Sequence, residues 1–227
     1  MLDRKKVNPA LGEEVHKYLL EKGVETPMIE KLYIDKVGVV TKQKLVIADA
    51  FRTIMEALSL DLTDDSLMET PRRMAKMYVD ELYAGLDYNN FPKITAVENK
   101  MNYNTMLLER HIAVKSTCEH HFVAFMGEAA IAYIPKDKVI GLSKLNRIVE
   151  FFSRRPQIQE RLTEQIFHTL CYILGTDNVA VVVKAQHFCV KLRGVEDVNS
   201  DTVTSRLGGV FAENEKTRAE LYQLIQC

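Results

Sequence analysis

The chain has 227 residues, of which 47% are hydrophobic, so it is long enough to bury one sizeable core with or without a helical appendage. Its 30 basic and 31 acidic residues give a formal net charge of −1, which excludes a global field that would favour nucleic acid or an anionic membrane. The N-terminal segment lacks the apolar stretch of a signal peptide, and no run reaches the length of a membrane helix. We therefore expect a cytoplasmic protein whose four cysteines are reduced, which favours metal binding over disulfides.

The first part of the chain carries helical signals. Apolar residues recur at helical spacing over 9–22 and, more strongly, over 41–60. Thr70-Pro71 is typical of a helix start, with Thr70 as the N-cap, and Gly85 can close that helix. We therefore predict an N-terminal helical region over residues 1–95.

The pattern changes after that region. Four segments rich in β-branched and aromatic residues are predicted strands, namely 105–114, 122–134, 179–192 and 197–206. Two helices are predicted between the second and third strands, one from near Ser143 and one from behind Pro156 to Leu174, and a last helix covers 213–225. The order predicts an α+β catalytic domain over residues 96–227, in which a helix pair lies between two strand pairs of an antiparallel sheet. The open edges of four strands must be covered or paired with neighbours, and a ring of subunits is one solution.

Two short patches hold the residues that carry chemistry, Cys118-Glu119-His120-His121 and His187-Phe188-Cys189. Thiolate and imidazole are ligands that zinc prefers. Cys118 and His121 are three apart, so a tight turn can direct both at one ion, and His187 and Cys189 are predicted to share one face of a strand. Cys118, His121 and Cys189 would leave a fourth position open for water, as in catalytic zinc sites. His120 and His187 would remain as bases beside the metal.

A purely structural role is the alternative for these patches. Cys189 can be a small buried hydrophobe and His187 a hydrogen-bonded core histidine. Neither patch has the double C-x-x-C spacing of a zinc finger, so spacing alone favours a metal site only moderately. We predict that Cys171 lies in the core and that Cys227 is exposed.

A loop that enters a helix, at Ser143, Lys144 and Arg147, is a candidate anion site. Ser143 is the candidate N-cap, and the first N–H groups of a helix attract anions. Lys144 and Arg147 are predicted to lie on one helix face. Arg193, just after Cys189, could reach the same anion. An ordinary solvated basic face is the alternative.

Glu160 is a candidate for base recognition, in the first turn of the helix behind Pro156 and next to Gln159. A carboxylate accepts two hydrogen bonds, which matches the adjacent N1–H and N2–H₂ of guanine, whereas adenine presents an acceptor at N1. The alternative is a glutamate that only stabilises a helix N-terminus through the macrodipole.

Several motifs occur in one order, which are Thr117-Cys118-Glu119-His120-His121-Phe122, Tyr133-Ile134-Pro135, Gly141-Leu142-Ser143-Lys144, Arg154-Arg155-Pro156-Gln157, Gln159-Glu160-Arg161-Leu162 and His187-Phe188-Cys189. Together they resemble bacterial GTP cyclohydrolase I. The resemblance runs from about Glu13 to the C-terminus and is most specific between Ser116 and Arg193.

The resemblance implies an activity, a cofactor and an assembly. The activity is the hydrolytic opening of the guanine imidazole ring of GTP, release of formate and reclosure to 7,8-dihydroneopterin triphosphate, the first step of tetrahydrofolate and pterin biosynthesis. It implies one Zn²⁺ per subunit on Cys118, His121 and Cys189. It also implies a ring-forming tunnelling fold, a decamer of two pentamers, and active sites shared between subunits.

The resemblance further implies roles for other residues. His187 protonates N7 of the purine, and His120 is a proton shuttle near the ribose. Glu160 binds the guanine edge, and Gln159 is a further substrate-binding residue. The triphosphate is held by Ser143, Lys144, Arg147 and Arg193, with Arg73 and Lys76 contributed by a neighbouring subunit.

Three other functions remain open from the sequence. A tunnelling-fold relative that reduces a nitrile would use a thiol nucleophile and nicotinamide, without a three-ligand metal set. A non-enzymatic, zinc-stabilised assembly module would have a closed four-ligand site. A cyclohydrolase could also stop at the formamide.

Overall fold

The computed structural model describes residues 2–3, 5–29 and 38–226, without the side chains of 38–41. Its helices are α1 (Pro9–Glu21), α2 (Gly38–Ala57), α3 (Thr70–Lys76), α4 (Leu142–Ser153), α5 (Gln159–Leu174), α6 (Phe188–Lys191), α7 (Val210–Glu213) and α8 (Glu215–Gln226). Its strands are β1 (Ala96–Glu98), β2 (Leu107–Cys118), β3 (Ala124–Tyr133), β4 (Lys138–Ile140), β5 (Pro156–Gln157), β6 (Val179–His187) and β7 (Thr202–Leu207). The predicted α+β class is confirmed.

The described helices include none with both the length and the apolar character needed to cross a membrane.

The helix predicted from Thr70 to Gly85 is interrupted. α3 continues into a π-helical turn at Met77–Leu82, and a 3₁₀ turn follows at Ala84–Leu86. The N-cap prediction is wrong, because Glu69 is the capping residue and Thr70 is already helical. Gly85 lies directly on the end of α4, where its N–H donates to the Arg154 carbonyl at 2.9 Å and no Cβ has room.

The main sheet has five strands in the order β5-β2-β3-β6-β7. Along the chain, α4 and α5 come between the pair β2 and β3 and the pair β6 and β7, as predicted. The prediction of four strands is wrong, because a fifth strand, β5, pairs in parallel with the end of β2 at Thr117 and Cys118. β1 and β4 form a separate two-stranded sheet.

One face of this sheet is covered, and the other is covered in part. One face packs on α4, α5 and α1, whose Val15 and Leu19 are fully buried in the same core. The other face packs on the C-terminal helices through Phe211 and Leu221. Cys171 is buried in the main core, as predicted, whereas Cys227 lies outside the described residues.

A buried ion pair anchors the N-terminal segment to the sheet. The guanidinium of Arg155 is 0% exposed and donates to the Glu25 carboxylate at 3.1 Å, which is 4% exposed. The same carboxylate accepts from Tyr88 and lies 2.9 Å from Nδ1 of His16. Burial alone would raise the pKa of Glu25, but the hydrogen bond from His16 and the charge of Arg155 outweigh it and lower that pKa. Arg155 directly precedes β5, so this pair also supports the strand that joins the end of β2.

Removing one partner of this pair leaves the other charge buried and alone. We expect Arg155→Met to lower the free energy of unfolding by about 3–5 kcal/mol. Lys17→Ala is the control, since its ion pair with Glu13 is exposed and screened by solvent, so its loss should change stability far less. Urea unfolding at one protein concentration measures both variants, and equal midpoints for Arg155→Met and the parent would contradict the assignment.

The pH dependence of the same pair has a defined sign. Because the pKa of Glu25 is lowered from 4.5, its stabilisation is present above pH 4.5 and is lost as the pH falls through the lower, folded-state pKa. The difference in unfolding free energy between the parent and Glu25→Gln should therefore shrink on acidification.

Candidate active site and metal centre

The first patch forms the tight turn between β2 and β3 that its spacing predicts. Cys118 ends β2 and donates its N–H to the Val123 carbonyl at 2.9 Å, and its own carbonyl accepts the N–H of Phe122 at 2.9 Å. Phe122 adopts a left-handed conformation, with φ of 54°, which is unusual for an aromatic residue. Its ring packs against Tyr83 at a centroid distance of 5.8 Å. These contacts close the loop that carries His120 and His121.

The second patch departs from its prediction. β6 ends at His187, and Cys189 lies in the short helix α6, so the two side chains do not share a strand face. The physical reason is that β6 runs out of pairing partners. Its pairing with β7 ends at Ala185, and its pairing with β3 ends where His187 lies opposite Phe125. The helical turn directs Cys189 back towards Cys118.

Three ligand atoms converge as predicted. The sulfurs of Cys118 and Cys189 and a ring nitrogen of His121 all lie within 4.8 Å of one another. Tetrahedral zinc with Zn–S bonds of about 2.3 Å requires donor atoms roughly 3.5–3.8 Å apart, so small side-chain rotations suffice to fit the ion. Cys118 is 6% exposed and Cys189 is 9% exposed, whereas His121 is exposed. The arrangement fits three protein ligands with an open side.

The two thiols affect each other's ionisation. Burial raises the pKa of Cys189, and the neighbouring Cys118 raises it further by hydrogen bonding and by its charge. Two thiolates this close repel each other unless a cation lies between them, so this pair favours metal binding over two free thiolates.

The two predicted bases lie on either side of the turn-forming ligand residues: His120 contacts Cys118, and His187 ends β6 two residues before Cys189. Nδ1 of His120 is 3.8 Å from the sulfur of Cys118, and the ring is exposed. The ring of His187 is half-buried and stacks on Phe125 at 4.7 Å with an interplanar angle of 12°. Burial lowers the pKa of His187, and the charge of Glu160 acts in the opposite direction, which places that carboxylate within electrostatic reach of the ring.

Arg193 also reaches the cluster, where its Nη1 donates to Nε2 of His121 at 2.9 Å.

Sequence reasoning missed a further ion pair, in which Arg161 of α5 donates to both carboxylate oxygens of Glu119, with the Nη2 to Oε1 distance at 3.3 Å. The N–H of Glu119 donates to the Gln157 carbonyl at 3.0 Å. Both contacts fix the residue between Cys118 and His120. The opposite charges in the two motifs were a signal for this pairing.

Gln159 and Glu160 begin α5, as predicted, but face different surroundings. Glu160 is exposed, whereas Gln159 is 1% exposed and its amide is hydrogen-bonded to residues of this chain. Glu160 is therefore the one of the two that a ligand can reach.

The other predicted anion-binding residues lie away from the cluster. Gly141, not Ser143, is the N-cap of α4, because the helix begins directly after β4. Asn146, in the first turns of α4, donates to Glu109 near the opposite end of β2 from Cys118. At about 3.3 Å per residue, that end is roughly 25–30 Å from the cluster, farther than one nucleoside triphosphate reaches.

Ser143 is exposed, Lys144 is half-buried, and Arg147 lies 3.8 Å from Asp3 in the same region as Asn146. None of these three lies at the metal cluster of its own chain.

Arg73 and Lys76 are exposed on α3. Within the described part of the chain neither has an ion-pair partner. The turn that follows α3 reaches the first patch, since Tyr78 packs on Phe122 with ring centroids 6.5 Å apart.

Comparison with known proteins identifies the family of this chain. Residues 47–226 match the family described as GTP cyclohydrolase I. The chain is 54% identical over 221 residues to proteins named GTP cyclohydrolase 1 from Enterobacter sp. (strain 638), Salmonella arizonae and Salmonella newport, covering 96% of this chain and 98% of each relative. The chain belongs to the GTP cyclohydrolase I family. The match to this family includes every candidate site residue, from Arg73 to Arg193.

A three-ligand site cannot spare a ligand, so Cys118→Ser and Cys189→Ser should each lose bound zinc. Cys171→Ala is the matched control, because that thiol is buried in the core and should leave the metal content unchanged. Metal analysis after dialysis measures all three variants. One zinc per chain in either serine variant would remove its cysteine from the ligand set.

Proposed function

We propose that this protein is a GTP cyclohydrolase I, which converts GTP and water to 7,8-dihydroneopterin triphosphate and formate. The observation that carries the proposal is the convergence of Cys118, His121 and Cys189 within 4.8 Å, with His187 two residues before Cys189. The 54% identity to proteins of that name supports the same activity. The product makes this the first step of pterin and tetrahydrofolate synthesis.

Cys118, His121 and Cys189 would hold one zinc ion per subunit. When bound, zinc supplies a water molecule activated as a nucleophile near neutral pH. The Glu119–Arg161 pair orients the loop that carries two of the ligands, as outer residues of metal sites do. A reducing cytoplasm keeps both thiols able to bind metal, and we place the protein there.

His187 delivers a proton to N7 of the purine, which makes C8 more electrophilic. Its stacking on Phe125 holds the ring plane, and partial burial keeps bulk water from competing for the proton. His120 is exposed beside Cys118 and serves as the shuttle for later proton transfers near the ribose.

Glu160 selects guanine. Its carboxylate accepts N1–H and N2–H₂ together, and adenine would place an acceptor against it. Its exposure on the first turn of α5 and its electrostatic reach to His187 support this role. Glu160 and His187 would then contact the same purine.

We infer that each active site combines residues of more than one chain. Arg193 supplies a cation at the cluster of its own chain, but Ser143, Lys144 and Arg147 are roughly 25–30 Å away along β2. A second chain that places its α4 against this cluster would complete a triphosphate site. A decamer of two pentameric rings, with Arg73 and Lys76 also contributed by a neighbour, is the assembly we propose.

Incubation with GTP tests the activity, followed by the ultraviolet absorbance of a pterin and by formate release. A formamide-terminated reaction gives no formate and no pterin. A nitrile reductase needs nicotinamide, and an assembly module leaves GTP unchanged. Any of these outcomes would overturn the proposal.

His187→Ala should keep its zinc and lose turnover by about 10²–10⁴-fold, because it removes a proton donor and not a ligand. Zinc content and the rate of pterin formation are measured on the same preparation. Loss of zinc in this variant would make His187 a ligand.

Subunit exchange tests the shared site. Lys144→Ala and Cys118→Ser chains should each be nearly inactive alone, and co-refolding should restore roughly a quarter of the sites, those that combine one intact residue from each chain. Arg193→Ala with Cys118→Ser is the control, and it should restore nothing because both residues lie in one chain's cluster. The same mixture with Arg73→Ala decides whether that residue acts across the boundary. No recovery with Lys144→Ala in verified mixed oligomers would contradict the shared site.

A further inference from the structure

The amide of Gln159 is fixed in one orientation by its surroundings. Its Nε2 lies 3.0 Å from the carbonyl oxygens of Val183 and Thr202 and 3.2 Å from Oγ1 of Thr204. Carbonyl oxygens only accept hydrogen bonds, so the amide nitrogen must face them and the amide oxygen must face the other way. That oxygen lies 2.8 Å from Nε2 of His187. Nε2 of His187 therefore carries a hydrogen and donates it.

The remaining freedom of the His187 ring is small. Phe125 stacks on its face at 4.7 Å, and the hydrogen bond to Gln159 prevents a ring flip. Among the described residues, Nδ1 of His187 has no hydrogen-bond partner. Because Nε2–H donates its hydrogen bond to Gln159, Nδ1 is the ring nitrogen that remains available to a substrate.

We propose that Gln159 is a positioning residue that holds His187 with its hydrogen on Nε2, so that Nδ1 is the atom that exchanges a proton with the purine. The inference rests on the proton-transfer role proposed above for His187. In that step the N–H bond at Nδ1 breaks, the lone pair of N7 takes the proton, and the ring returns to its neutral Nε2–H form.

This role differs from the substrate contact that the family resemblance implies for Gln159. Both amide hydrogens are engaged by Val183, Thr202 and Thr204, and the side chain is 1% exposed. Oγ1 of Thr204 is itself hydrogen-bonded to Oγ1 of Thr163 at 2.7 Å, so the partners of the amide are fixed in place. A guanine finds no free hydrogen on this side chain.

The tautomer can be measured without GTP. Nitrogen-15 magic-angle-spinning NMR of the histidine-labelled, zinc-loaded protein is recorded above pH 7, and His187→Ala identifies the signals of that ring. We expect a protonated, pyrrole-type signal from Nε2 and an unprotonated, pyridine-type signal from Nδ1. The reverse assignment, or a mixture of both forms, would overturn the inference whether or not the protein turns over GTP.

A kinetic comparison tests the positioning role. Gln159→Met keeps the volume and removes the hydrogen bond, and we expect kcat to fall about 10–100-fold with little change in the KM for GTP. Gln186→Met is the matched control, because Gln186 is exposed on β6 beside His187 in sequence, and its kcat should stay unchanged.

A raised KM with unchanged kcat in Gln159→Met would place Gln159 on the substrate and overturn the inference. If that variant does not assemble, the NMR measurement on the unmodified chain still decides. Absence of turnover in the parent protein would contradict the proposed function and leave the tautomer result standing.

Discussion

The pairing of β3 with β6 places His187 opposite Phe125 and brings together two patches that lie about seventy residues apart in the chain. A slip of one residue would turn every side chain of β6 to the other face of the sheet, so the buried, apolar run of that strand specifies the register. Gly127 allows the close approach, because a Cβ there would collide with the Lys184 carbonyl. The stacking of His187 on Phe125, the turn into α6 and the position of Cys189 all follow from this register.

The other side of the cluster depends on buried polar contacts. Arg155 and Glu25 hold the chain just before β5, and β5 pairs with the last residues of β2, where Cys118 lies. A buried ion pair is a poor source of net stability, but it specifies one arrangement because any other leaves a charge unpaired. Gln159 acts in a similar way around His187. The reactive groups are therefore held by buried polar contacts from elements remote in sequence.

The length of β2 has a consequence for assembly. Its two ends carry different parts of the chemistry we propose: the metal ligands are at the end with Cys118, and the start of α4, with Lys144, is near Glu109. A strand is rigid along its axis, so one chain cannot bring these ends together. In the assembly we propose, association of subunits would complete the site. Substrate binding and oligomerisation would then be linked through the same residues.

The sequence by itself determined the α+β class and most helices and strands, because periodicity is a local property. Donor chemistry and the family resemblance pointed to Cys118, His121 and Cys189, but their convergence depends on the register of β3 and β6. The sequence did not determine where β6 ends, since that depends on which residues of β3 and β7 are available to pair. Nor did it determine the role of Gln159, whose neighbours Val183 and Thr202 come from other strands. Only the tertiary structure separates Lys144 from the cluster of its own chain, because sequence spacing carries no information about which end of a sheet a loop reaches.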